Sequence, residues 1–251
     1  MIGSKYNKLY PPLLERVLRE EEKSKDSVKA AKTRLHQNFG AYLQGNSHKK
    51  AKQILETGIC EENIKNILSL HASTKERLQI FDEFYEFING HTSDVNSFMD
   101  LGCGFNPFSL KIMPNVFQKN IRVYHAYDID LRTKEILNHF FEILNLPQTA
   151  DCADLVVETP DEEVDLALMC KLIPVLEAQK KGRGFELANS INARFLVITY
   201  PLKSLGGREK GMGAFYSKSF EEGFESGKIN NYSLVAQKKV GNELVYILYK
   251  N

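Results

Sequence analysis

The stretch "DLGCGFNP", Asp100 to Pro107, decides how the chain is read. An apolar run ends in an acid, and Gly102-x-Gly104 follows. Glycines at these places let a backbone turn tightly and come close to a ligand. In a parallel α/β sheet such a turn joins the first strand to the first helix, and ligands bind beyond the carboxyl ends of the strands. A dinucleotide asks for more. Its pyrophosphate sits on the helix N-terminus, and a third glycine permits close packing of helix on strand. Asn106 and Pro107 stand there instead. Proline is tolerated in the first turn of a helix, but it offers no amide to a phosphate.

Working outward, "SFMDLG", "IRVYHAYDID", "VDLALMC" and "ARFLVITYP" are short apolar runs ending at polar or turn residues. Helical stretches, such as Thr133 to Leu146 and Val175 to Ile191, separate them. That alternation predicts a mainly parallel sheet covered on both faces. The tail differs: "YSLVAQKKV" and "ELVYILYK" flank Gly241-Asn242, a hairpin signal. The expected fold class is α/β, a class I S-adenosylmethionine-dependent methyltransferase fold: Rossmann-like, with a terminal antiparallel hairpin. Asp128 ends the second apparent strand, 26 residues beyond Gly102, where a carboxylate can accept both ribose hydroxyls. Asp154 falls near the end of a third strand, where adenine edges are commonly read. Gly-x-Gly with two such acids points to a nucleoside cofactor without a phosphate, S-adenosyl-L-methionine.

Before Asn96 the chain reads as helical. Pro11 and Pro12 mark a helix start. Val28, Ala31, Leu35, Phe39 and Tyr42 recur at helical spacing, and Lys25, Lys29, Lys32 and His36 form a parallel basic stripe. Leu78, Phe81, Tyr85 and Ile88 mark another helix that stops near Asn89-Gly90. Two units are expected: a helical docking domain over 1–92 and a catalytic domain over 93–251. Net charge is +1, but residues 1–55 carry 12 Lys/Arg against 5 acids, leaving about −6 for the remainder. Such asymmetry fits one end that faces a polyanion, or a solvated helical surface.

The 251 residues, 43% hydrophobic, suffice for a substantial core. No apolar run approaches the ~20 residues of a membrane span, and no secretory signal is seen. The four cysteines form no Cys-x-x-Cys pair, so neither a zinc site nor a disulfide framework is expected. A cytoplasmic protein without metal or membrane partner fits these features.

The residues also narrow the chemistry. Methylation of exocyclic base nitrogens usually employs an Asn/Asp-Pro-Pro-aromatic motif after the fourth strand, where this chain has "CKLIP", Cys170 to Pro174. Carbon methylation of pyrimidines needs a cysteine nucleophile. Cys170 lies nearby, but outside the expected context, and reads as a buried strand-end cysteine. Guanine N7 needs neither arrangement. It has a free lone pair and no proton to remove, so catalysis can rest on placement. A small-molecule methyltransferase, or an RNA-binding protein that keeps the fold without activity, also fits the residues.

"LHASTKERL" (Leu70 to Leu78), "DLGCGFNP" and "YPLKSLGGREKGM" (Tyr200 to Met212) together closely resemble the aminoglycoside-resistance 16S ribosomal RNA methyltransferases. "YHAYDID", "KLIPVLE" and "VGNELVYI" are similar to the same family. The resemblance implies methylation of N7 of a decoding-site guanine of 16S rRNA in the 30S subunit, with S-adenosyl-L-methionine as donor. It implies that His71, Ala72 and Ser73 lie over the cofactor and that Arg77 grips its methionine carboxylate. Gly102 would approach the cofactor, Asp128 would hold the ribose, Ile129 would also contact the cofactor, and Asp154 with Leu155 would meet the adenine. Lys171 and Gln179 would stand near cofactor and target base, with Lys171 positioning the base and no residue acting as acid or base. Lys25, Lys29, Lys32 and Arg34 would dock RNA from the N-terminal stripe. Lys203, Arg208 and Lys210 would do so from a glycine-rich loop.

Overall fold

The computed structural model describes residues 6–40, 45–202 and 212–251. Five parallel strands, β1 (Ser97–Leu101), β2 (Val123–Asp128), β3 (Ala150–Cys152), β4 (Val164–Cys170) and β5 (Ala193–Pro201), form most of one sheet. β6 (Tyr232–Val240) and β7 (Glu243–Lys250) complete it as a hairpin, with β7 antiparallel to β5. The order is β3-β2-β1-β4-β5-β7-β6. The direction of progression reverses between β1 and β4, which is where open α/β sheets bind ligands. The hairpin expected at Gly241-Asn242 is present, and Gly241 takes a φ of 49°.

The helices are α1 (Pro11–Glu20), α2 (Ser27–Phe39), α3 (Ser47–Glu56), α4 (Glu61–Leu68), α5 (Ala72–Arg77) and α6 (Phe81–His91) before the sheet. Within it come α7 (Asn115–Asn120), α8 (Leu131–Ile143), α9 (Leu172–Gln179), α10 (Arg183–Ser190) and α11 (Met212–Glu225). The central strands are buried on both faces, which explains their near-continuous apolar runs. Phe98, Leu166, Leu168, Val197 and Ile247 face one core with α4, α6 and α8. Met99, Ala167, Met169, Ile198 and Leu248 face a second core under α9, α10 and α11.

The N-terminal helices divide in two. α3, α4 and α6 contribute Leu55, Ile67, Phe84 and Tyr85 to the first sheet core. α1 and α2 instead share a small cluster of their own, built from Leu9, Leu13, Val17, Ala31, Leu35 and Phe39, with Ile129 and Val175 packed against it. The chain before α1 is pinned to the end of β2: the Tyr10 amide donates to the Ile129 carbonyl (2.8 Å) and the Leu131 amide to Lys8 (2.9 Å). These contacts set α1 and α2 across the carboxyl edge of the sheet.

The helix expected from Val175 to Ile191 is two helices. Gly182 breaks it at φ 86°, and the Glu177 carboxylate accepts the Gly182 and Gly184 amides at 2.7 and 2.8 Å, capping α10. The helix expected from Thr133 begins two residues earlier, because the Asp130 side chain caps it at the Arg132 amide (2.9 Å). Tyr42, expected on the apolar face of α2, lies outside the described residues.

Candidate active site

A cleft runs along the carboxyl ends of β1 to β4. Its floor is the loop after β1. Gly102 and Gly104 take φ values of 68° and 50°. A side chain at Gly104 would meet the His71 ring at 2.9 Å, and one at Gly102 would meet Leu172 at 3.0 Å. Backbone conformation and space therefore both demand glycine here. Asp128 staples this loop to the end of β2. One carboxylate oxygen accepts the Gly104 amide (2.9 Å), and the other accepts the Asp130 amide (2.9 Å). The carboxylate still borders the cleft, where it can take up hydroxyl groups.

Asn106 does more than end the glycine loop. It is buried, its amide donates to Asp100 at 2.7 Å, and its oxygen accepts from Arg77 Nη1 at 3.0 Å. Arg77, on α5, is buried too. Its Nε and Nη2 reach the two oxygens of Glu243 at 3.2 and 3.1 Å. Three of its five N–H groups are thus engaged, and one remains on each Nη nitrogen. Glu243, the first residue of β7, also accepts from Thr199 (2.8 Å) and lies 3.3 Å from the Lys171 ammonium. Lys171 in turn donates to Glu76 at 2.8 Å. Lys171 holds a left-handed backbone (φ 56°) at the start of α9, an unusual conformation for a side chain of this size.

At the other end of the cleft, Asp154 follows β3 and Leu155 stands beside it. Asp154 is buried and paired with Arg16 of α1, through Nε at 2.5 Å and Nη2 at 3.1 Å. Arg16 Nη2 also donates to Gln179 Oε1 at 3.2 Å. The cleft therefore orders its polar groups across the sheet edge: Asp154 beyond β3, Asp128 at β2, and Arg77 towards β1 and β7.

The residues expected in the site are largely brought together. His71, Ser73, Arg77, Gly102, Asp128, Ile129, Asp154, Leu155, Lys171 and Gln179 all line the cleft. Ala72 does not; it is exposed on α5. Lys25 and Lys29 are exposed, Lys32 is half-buried, and none forms an ion pair among the described residues. Arg34 departs from the stripe and pairs with Glu20 (2.6 Å) and Glu21 (3.1 Å). Lys203, Arg208 and Lys210 lie outside the described residues. Arg16, Asn106 and Glu243 escaped the sequence reading. Only Asn106 had a local signal, its place in the glycine loop. Among the described residues no cluster of His, Cys, Asp or Glu could hold a metal ion, and no helix is long and apolar enough to cross a membrane.

Burial pushes the Cys170 thiol up to about 12, so it stays protonated at neutral pH and is no nucleophile. Burial, with neighbouring His48 and the charges of Arg77 and Lys171, pushes His71 down to about 4 and keeps its ring neutral. Burial also raises Asp128 and Asp100, each to about 6. A raised carboxyl favours the folded state at low pH and loses that contribution as pH climbs through about 6. These two groups therefore do not drive unfolding on mild acidification. A carboxylate that accepts ligand hydroxyls, in contrast, does so best when ionised. Affinity for an adenosyl ligand is expected to be flat above about pH 7 and to fall about tenfold per unit well below pH 6. Calorimetric titration from pH 5 to 8 tests this, and a level profile would contradict the role of Asp128.

A seven-stranded sheet of this order, with a glycine loop after β1 and an acid ending β2 at the switch point, defines a class I methyltransferase fold. The ribosomal RNA methyltransferase (FmrO) family model matches residues 3–247, and the chain belongs to that family. A 16S rRNA (guanine(1405)-N(7))-methyltransferase of Serratia marcescens is 34% identical, covering 100% of this chain and 96% of its own. One of the same name from Micromonospora rosea is 33% identical, over 90% of this chain and 83% of its own. The crystal structure of the 16S rRNA methyltransferase RmtF in complex with S-adenosyl-L-homocysteine superposes with a TM-score of 0.85 at 35% identity. It covers 100% of this chain and 95% of that one. The 16S rRNA methylase RmtB gives 0.80 at 30% identity, over 99% and 94%.

Proposed function

We propose that the protein methylates N7 of guanine 1405 of 16S rRNA in the 30S subunit and so confers aminoglycoside resistance. The observation that carries this reading is the order of polar groups along the cleft of a chain that belongs to this family over nearly its full length. Arg77 has one N–H left on each Nη nitrogen for the methionine carboxylate of S-adenosyl-L-methionine. Asp128 takes the ribose hydroxyls, helped by Ile129, and Asp154 and Leu155 take the adenine. Gly102 and Gly104 leave room for the backbone to approach. His71 and Ser73 close the cleft from α5. When bound, the donor supplies a sulfonium methyl group for transfer to a nucleophile. N7 offers its lone pair without losing a proton, so the protein needs no general base. The neutral His71 and the protonated Cys170 agree with chemistry by placement alone. Lys171, held by Glu76 and Glu243 at the cleft, positions the base.

In this reading residues 1–92 supply the docking surface and 93–251 the catalytic fold. Lys25, Lys29 and Lys32 contact phosphates without reading sequence. Lys203, Arg208 and Lys210, which follow β5 in the sequence, do the same. The target base is turned out of its stack. A ribosomal substrate places the reaction in the cytoplasm.

The test is methyl transfer to purified 30S subunits, with the modified base mapped. Modification at N7 of guanine 1405 is expected, and well-folded protein that leaves 30S unmodified refutes the proposal. A host expressing the protein is expected to resist gentamicin and kanamycin types and to remain susceptible to apramycin.

A further inference from the structure

Arg16 has no place in the chemistry described so far, yet it is one of the few buried charges on the N-terminal helices. It stands on α1, is 3% exposed, and holds Asp154 with both arms of its guanidinium side. The same side chain holds Gln179 Oε1 and, through Nη1, Glu20 at 3.2 Å. α1 itself is fixed by Leu13 and Val17 in the small cluster and by the Tyr10 amide on Ile129. An arginine on a rigid support thus fixes a carboxylate that borders the cleft.

A carboxylate offers about four acceptor positions. On Asp154, Arg16 takes two and the Val156 amide takes a third at 3.2 Å. About one remains. Held by two guanidinium N–H groups and one amide, its oxygens are fixed as acceptors towards the cleft. An adenine presents an amino group that donates to it. A 6-oxopurine presents a carbonyl that it repels. Without the guanidinium, nothing on α1 holds those oxygens in place, and the discrimination between amino group and carbonyl is lost.

We propose that Arg16 is a positioning residue that makes the cleft select an adenine over a 6-oxopurine in its nucleoside ligand. The inference rests on the adenosyl reading of the cleft. It also ties the first N-terminal helix to the cofactor end of the site.

Calorimetry on the full chain, with S-adenosyl-L-homocysteine and S-inosyl-L-homocysteine as probes, tests it. Wild type is expected to prefer the adenosyl ligand by at least about 100-fold. In Arg16→Met the preference is expected to fall to about tenfold or less. Arg16→Lys keeps the charge and most of the aliphatic stem but not the planar fork, and is expected to fall between. A wild-type preference in either variant overturns the proposal. So does an equal loss of affinity for both ligands, which a merely structural arginine would cause. If Arg16→Met fails to fold, Arg16→Lys alone decides. Wild-type protein that binds neither ligand refutes the adenosyl reading itself, and the inference falls with it.

Discussion

Arg77→Ala is expected to lose about 100-fold or more in affinity for S-adenosyl-L-homocysteine, and about 3–5 kcal/mol of stability. The two losses have different origins. Arg77 is buried and supplies two of the hydrogen bonds that neutralise Glu243. The Glu243 carboxyl lies below its usual range because Arg77 and Lys171 stand beside it. Truncation leaves that buried carboxylate with Thr199 and a single ammonium 3.3 Å away. Removing one partner of a buried pair costs far more than removing both. Arg77→Met combined with Glu243→Gln is therefore expected to regain much of the stability. It is not expected to regain ligand affinity, because the N–H groups proposed for the ligand carboxylate are gone. Chemical denaturation and calorimetry on the single and double variants separate the two roles. If the double variant binds like wild type, Arg77 serves the fold alone.

Asp128→Asn is expected to show the opposite balance, losing about 100-fold in ligand affinity while its melting temperature stays close to that of wild type. An amide offers one acceptor oxygen where the Gly104 and Asp130 amides and the ribose hydroxyls together need several. Charged hydrogen bonds to a ligand are worth about 1.5–3 kcal/mol each, so losing two accounts for the effect. Stability is spared because burial already penalises the ionised Asp128 at neutral pH, and a neutral replacement removes that penalty. Wild-type affinity in Asp128→Asn would remove Asp128 from the ribose site. A large fall in melting temperature would show instead that its main work is stapling the loop.

Much of the sheet was legible. β1, β4 and β5 are buried on both faces and read as short apolar runs, β2 buries only alternate residues, and the hairpin carried its own turn signal at Gly241-Asn242. β3 is three residues, "ADC", too short to show a period, and only the position of Asp154 betrayed it. The break between α9 and α10 was missed because both halves keep an apolar face, and Gly182 reads as a tolerated helix glycine until Glu177 is seen capping the new start. The RNA-contact set expected around α2 divides in the fold. Helical spacing puts Lys25, Lys29 and Lys32 together, but it says nothing of Glu20 and Glu21, which draw Arg34 aside.

The sequence alone determined the loop that takes glycine and no phosphate, the acid at the end of β2, and the alternation that places both at one edge of a sheet. These are local facts: a turn, a strand end and a repeat of apolar runs are specified by neighbours in the chain. Only the tertiary structure decided who holds the site in place. Arg16 meets Asp154 across 138 residues, and Arg77 meets Glu243 across 166. No periodicity links such pairs, because a buried charge finds its counter-ion through packing of distant elements and not through spacing. "DLGCGFNP" announced a nucleoside site, and folding supplied the two arginines that shape its ends.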